Sequence, residues 1–201
     1  MSELLLATCI LISAILYSSV GHGGASGYLA SMALFGVTPA VMKPTALVLN
    51  IIVAAIATSK FYRAGCFDKS LFWPFAIGSI PCAFIGGSIV LPTQIYKPIL
   101  GLVLLYAAGR LGLNRASSQP QQAHSLSIWL AIGLGMAIGL LSGLTGVGGG
   151  IFLSPLLLLM GWATMKQAAG VSAAFILVNS IAGLLGYLTK FPTLPDRKSV
   201  V

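Results

Sequence analysis

Apolar residues run in long blocks along this chain, and polar residues are confined to the gaps between them. The long blocks are Leu4 to Val20, Thr45 to about Ala57, Leu71 to Leu91, Ile95 to Leu113, Leu126 to Leu144 and Ala168 to Leu188. Most approach the ~20 residues that a helix needs to cross a hydrocarbon core of ~30 Å. Two further blocks, Ser26 to Val37 and Ile151 to Trp162, have only twelve residues each. As helices they would reach about 18 Å, which is too short for a full crossing. Each follows a long block and a glycine-rich turn, and each precedes a second turn and another long block. The pattern predicts an all-α, polytopic helical membrane protein.

The gaps carry the punctuation. Lys43-Pro44 predicts a break, with Pro44 in the first turn of the helix that follows. Pro74 and Pro81 predict kinks, and Pro92 an end. Residues 116–124, rich in Ser, Gln and Pro, form the one clear linker. They divide a first transmembrane repeat, 1–115, from a second, 125–201. At an offset of 125, Gly21, Gly23, Gly24, Leu34 and Gly36 meet Gly146, Gly148, Gly149, Leu159 and Gly161 without a gap. The order long helix, glycine loop, short helix, turn, long helix occurs in both halves. Re-entrant short segments would make the repeats parallel, and crossing ones would make them inverted. The first half has two more spans than the second, so the second repeat reads as incomplete. A second copy of the chain could cover the flank this leaves open.

Composition supports the membrane reading. The chain is 57% hydrophobic and 7% charged, against about a quarter charged in soluble domains. Glu3 is the sole charge before the first block, so that block lacks the basic start of a signal peptide. The net charge of +8 is spread over short loops. Such scatter suits the positive-inside rule rather than nucleic-acid binding. Cys9, Cys66 and Cys82 lack metal-ligand spacing, and no metal or cofactor is expected. Glu3, Asp68 and Asp196 all fall at termini or in loops, which leaves no carboxylate for a proton relay within the spans. No Walker sequence is present, so ATP is not the direct driver.

The candidate chemistry lies in two glycine clusters, Gly21-His22-Gly23-Gly24-Ala25-Ser26-Gly27 and Gly143-Leu144-Thr145-Gly146-Val147-Gly148-Gly149-Gly150. Glycine-interrupted segments in matching positions point to a transporter's binding site. Successive N–H groups in a tight turn make an anion nest, and a helix that starts there adds a partial positive charge. The competing reading is close helix packing through glycine. The candidate substrate-binding residues are Gly21, His22, Gly23, Gly24, Ser26, Thr45, Thr145, Gly146, Gly148, Gly149, Gly150 and Ser172. His22 is the only ionisable one; it could bond an anion or carry a proton, or simply bond a carbonyl. Thr45 and Ser172 read as matching positions at helix starts. Asn50 and Asn179 are secondary candidates, since polar residues within spans often hydrogen-bond helix to helix.

The second cluster and its continuation to Pro155-Leu156-Leu157, with Ala169-Gly170-Val171-Ser172-Ala173-Ala174-Phe175, resemble the sulfite exporter TauE/SafE family. Gly21-His22-Gly23-Gly24 and Lys43-Pro44-Thr45-Ala46-Leu47 are similar to that family's first repeat. The resemblance implies a multi-pass protein of the bacterial inner membrane. It also implies a non-enzymatic transporter that exports sulfite, organosulfonates or related sulfur-containing anions, with a small anion and the lipid bilayer as partners. One alternative is an inactive, truncated relative. A remote one is an intramembrane serine protease, because Gly24-Ala25-Ser26-Gly27 fits the GxSG signature of rhomboids. That enzyme needs a base from another helix, whereas His22 shares the serine's loop and His124 lies in the linker.

Overall fold

The structure, a computed structural model, describes residues 2–18, 24–113 and 127–190. The linker and the candidates Gly21, His22 and Gly23 lie outside the described residues. Eight helices occupy the described part: α1 (Ser2–Ser18), α2 (Ala25–Leu34), α3 (Pro39–Arg63), α4 (Lys69–Ser88), α5 (Thr93–Leu113), α6 (Ile128–Thr145), α7 (Gly150–Leu159) and α8 (Met165–Lys190). Among the described residues, α3, α4, α6 and α8 are long and apolar enough to cross a membrane. Both short segments form helices of 10 residues, α2 and α7. The chain is all-α, as the pattern predicts.

One boundary differs from the sequence reading. The third helix begins at Pro39, in its first turn, and Pro44 lies inside it. A proline there cannot bond the carbonyl four residues back, at Ala40. The Tyr187 hydroxyl donates to that carbonyl instead, at 3.1 Å. The helix continues through Pro44, and α8 supplies a donor for the carbonyl that the proline frees. Thr45 is consequently in the helix interior and not at its start.

Helix α4 is the centre of the bundle and packs most extensively on α6, then on α8. The α4–α6 contact is made backbone to backbone. Gly135, Gly139 and Gly143 recur every fourth residue along α6 and face the carbonyl oxygens of Phe75, Ser79 and Ala83. Across from α8, Gly186 faces the Phe84 carbonyl, and the Gly183 carbonyl faces Gly87. A Cβ at Gly139 would run into Ser79, so only glycine permits this approach. The outer faces carry exposed large apolar side chains at mid-helix, among them Ile52, Ile56, Ile77, Ile85, Leu140 and Leu185. That is a surface suited to lipid rather than water.

Helix α4 also shows how a loop-side end is set. Asp68 is its N-cap, and its carboxylate accepts from Ser70 N at 2.9 Å, Ser70 Oγ at 2.6 Å and Leu71 N at 3.3 Å. The Ser70 side chain, with help from the Leu71 and Ser70 amides, holds the carboxyl below its ordinary pKa despite partial burial.

Helix directions follow from the cross-links. Tyr187, near the end of α8, meets Ala40 at the start of α3. Gly170, near the start of α8, faces Cys66 and Phe61 beyond or at the end of α3. Helices α3 and α8 therefore run antiparallel. The glycine contacts make α4, α6 and α8 mutually parallel. Helix α7 turns back from the end of α6 and runs beside α8, tied to it by Ser154 Oγ donating to Ser172 Oγ at 2.7 Å.

Candidate functional site

Helix α6 stops because three glycines force it to. Gly146 closes it in the left-handed region at φ 82°, Gly148 repeats that geometry at 82°, and Gly149 opens α7 at 80°. An L side chain seldom adopts such φ values. The α6 end of the break is held from outside. Tyr96 Oη of α5 donates to the Thr145 carbonyl at 2.9 Å. Asn50 Nδ2 of α3 donates to the Gly146 carbonyl at 3.3 Å.

The loop lies deep in the bundle. A Cβ at Gly148 would stand 2.8 Å from Ile176 Cγ2, 3.0 Å from Asn50 Nδ2 and 3.1 Å from Ser180 Oγ. One at Gly149 would stand 2.9 Å from Phe175 and 3.4 Å from Ser142 Cβ. Asn50 and Ile176 belong to the middle turns of α3 and α8, so the loop sits near half-depth. Helix α7 starts there, with its N-terminus inside the bundle.

The polar inventory is unbalanced. Among the described residues, no hydrogen bond engages the N–H of Val147, Gly148, Gly149 or Gly150. Asn50 Oδ1, Asn179 Oδ1, Ser142 Oγ and Ser180 Oγ are buried without a partner among the described residues. All four residues are 0% exposed. Asn179 sits on α8 between Phe175, which faces Gly149, and Gly183, which faces Gly143. Buried polar groups are nearly always bonded, so unpartnered ones gathered on the helices beside one loop are out of the ordinary. Ser142 and Ser180 escaped the sequence reading. Their only signal was helical spacing from Thr145 and Ile176, which is weak in a serine-containing chain.

The other candidates divide. Gly24 has φ 82° and opens α2 as Gly149 opens α7. Ser26 is buried in the first turn of α2. Ala25, Tyr28 and Leu29 of α2 share a buried apolar cluster with Val147 and Ile151, so the start of α2 and the second loop are drawn into one cluster. Thr45 is half-buried on α3. The Thr145 hydroxyl donates to Leu141 O of its own helix at 2.7 Å. The Ser172 hydroxyl is committed to Ser154, although its carbonyl would lie 3.4 Å from a Cβ at Gly150.

Lys43 is the second feature missed in the sequence, where basic residues read as loop markers. It lies within α3, is buried, and spends three N–H bonds on the C-terminal carbonyls of α4 and its cap. Nζ donates to Gly86 O at 3.0 Å, Gly87 O at 2.9 Å and Ile89 O at 3.0 Å. A cation there complements the negative end of the helix dipole. The backbone of Lys43 supports Gly146. Beside it lies a cavity of about 190 Å³ lined by Pro39, Lys43, Leu91, Tyr96, Leu144 and Tyr187. No group of His, Cys, Asp and Glu suited to a metal occurs among the described residues.

Comparison with known proteins gives this geometry a context. The model of the sulfite exporter TauE/SafE family matches residues 5–195. A relative from Sinorhizobium fredii, "Probable membrane transporter protein y4hK", is 40% identical over 95% of this chain and 78% of its own length. Another from Bacillus subtilis, "Probable membrane transporter protein YunE", is 24% identical over 94% of this chain and 79% of its own. No solved structure matches. With a family match across nearly its whole length and a broken helix of the transporter kind at its centre, the chain belongs to the sulfite exporter TauE/SafE family.

Proposed function

We propose that this membrane transporter moves a small sulfur-containing anion (sulfite, an organosulfonate or a related species) and that the loop from Gly146 to Gly150 is its binding site. The observation that carries the reading is the set of N–H groups at Val147 to Gly150 that no hydrogen bond engages among the described residues, beside Ser142 and Ser180, whose buried hydroxyls lack a partner among the same residues. These are donors, they lie at half-depth, and the N-terminus of α7 points at the same place. Preorganised dipoles of this kind hold an anion without a dedicated cation. The antiparallel α3 and α8, each preceded by a ten-residue helix with a left-handed glycine at its start, support an inverted pair of repeats. Export is the direction that the family's description names, and the bacterial inner membrane is the location this reading assigns to it. The purified chain in proteoliposomes is expected to move labelled sulfite. The double variant Ser142→Ala, Ser180→Ala is expected to lose about tenfold or more in sulfite affinity, as removal of hydrogen bonds to a charged ligand does. Its thermal stability without ligand should be unchanged or raised, because two unpaired buried hydroxyls are gone. Unaltered sulfite affinity in that variant would refute the site.

A further inference from the structure

We propose that the loop site selects an oxyanion that carries its own O–H, the protonated monoanion, over the dianion and over sulfonates without a donor. This inference rests on the loop being the anion site. It begins with the two asparagines. Asn50 spends its amide nitrogen on Gly146 O at 3.3 Å, and Asn179 spends its own on Phe175 O at 2.8 Å. Those bonds fix the orientation of both amides, since a flip would set oxygen against carbonyl oxygen. What remains on each is Oδ1, an acceptor, buried and without a partner among the described residues. The site thus offers two kinds of group. The N–H groups of Val147 to Gly150 and the hydroxyls of Ser142 and Ser180 donate. Asn50 Oδ1 and Asn179 Oδ1 only accept. A sulfite dianion and a sulfonate can only accept, and either would leave both amide oxygens bare or press its own oxygens against them. Hydrogensulfite accepts at its free oxygens and donates once.

Charge leads to the same preference. Lys43 is the only charged side chain buried among the described residues, and its three N–H bonds are already placed on carbonyls. The other titratable groups packed around the loop are phenols: Tyr28 of α2, Tyr96 of α5 and Tyr187 of α8. Helices α6 and α7 contribute none; of the titratable groups of α4, Lys69 is exposed at the far end and Cys82 is a half-buried neutral thiol. Among the described residues, one negative charge is therefore met by dipoles alone, and a second would be buried with no uncommitted cation to offset it.

The test is a titration of sulfite and of methanesulfonate into the purified full chain, at pH values on both sides of the pKa of hydrogensulfite. Methanesulfonate is a monoanion without a donor at every pH used. The apparent Kd for total sulfite is expected to rise about tenfold per pH unit above that pKa, while methanesulfonate binds weakly at all pH. Asn179→Leu removes one acceptor and leaves the Asn50 cap in place. It should weaken hydrogensulfite about tenfold and leave methanesulfonate unchanged. Sulfite affinity that is flat or rises with pH, methanesulfonate binding as tightly as hydrogensulfite, or equal loss of both ligands in the variant would each overturn the selection. Absence of sulfite binding at any pH in folded protein would instead overturn the anion site itself.

Discussion

At the scale of the residue, Lys43 does what several side chains do elsewhere. Its ammonium closes the C-terminus of α4 with three bonds, and its backbone supports Gly146. Lys43→Met keeps most of the stem's volume and removes the donors, leaving buried carbonyls without that partner. Loss of about 3 kcal/mol is expected, read as a lowered midpoint of thermal unfolding in detergent; an unchanged midpoint would show that the cap is dispensable. Lys43 also shows what a sequence conceals. A lysine beside a proline reads as the edge of a span, and both residues turn out to be buried within α3. Nothing local could reveal it, because the partners are 43 to 46 residues away for the lysine and 147 for the proline's freed carbonyl. Gly146, Gly148 and Gly149 were legible for the opposite reason. Their left-handed backbone is a local requirement, and glycine is how a chain meets it.

At the scale of the element, the order of helices was readable from hydropathy and the ten-residue helices from the interrupted blocks. The α4–α6 seam is present in the sequence as glycines at 135, 139 and 143, but a glycine inside a membrane helix has no local signature of the partner backbone it meets. The seam makes a sharp contrast testable within one helix. Gly133 has open space where a Cβ would go, whereas Gly139 would meet the Ser79 backbone. Gly133→Ala should leave stability unchanged or raise it by up to about 1 kcal/mol through helix propensity. Gly139→Leu must push α4 from α6 and should cost about 3 kcal/mol or more. Equal thermal midpoints for the two variants would show that the helices do not touch through their backbones.

At the scale of the whole molecule, one end of the bundle is basic. Exposed Lys60, Arg63, Lys69 and Lys166 gather there, with Tyr62, Trp73 and Trp129 exposed on the same end. Exposed Lys97 and Lys190 are at the other. Among the described residues, the exposed charges predict by the positive-inside rule that the basic end faces the cytoplasm, and the aromatic residues fit an interfacial belt. Cys66 lies in the turn between α3 and α4 at that end, while Cys9 and Cys82 lie within helices. A membrane-impermeant maleimide is therefore expected to label Cys66 in inverted vesicles and not in intact cells. The opposite pattern would reverse the assignment. A carrier that opens to two sides must shift one body against another. Backbone-to-backbone contact joins α4, α6 and α8, and sliding any of them would bring carbonyls onto glycine Cα atoms out of register. These three helices are expected to move as one body. Helices α1, α2 and α5 meet the rest through side chains such as Leu6, Tyr28, Leu29 and Tyr96, contacts that a change of rotamer can accommodate. On this expectation, the mobile part of the carrier lies among the helices outside the glycine seam.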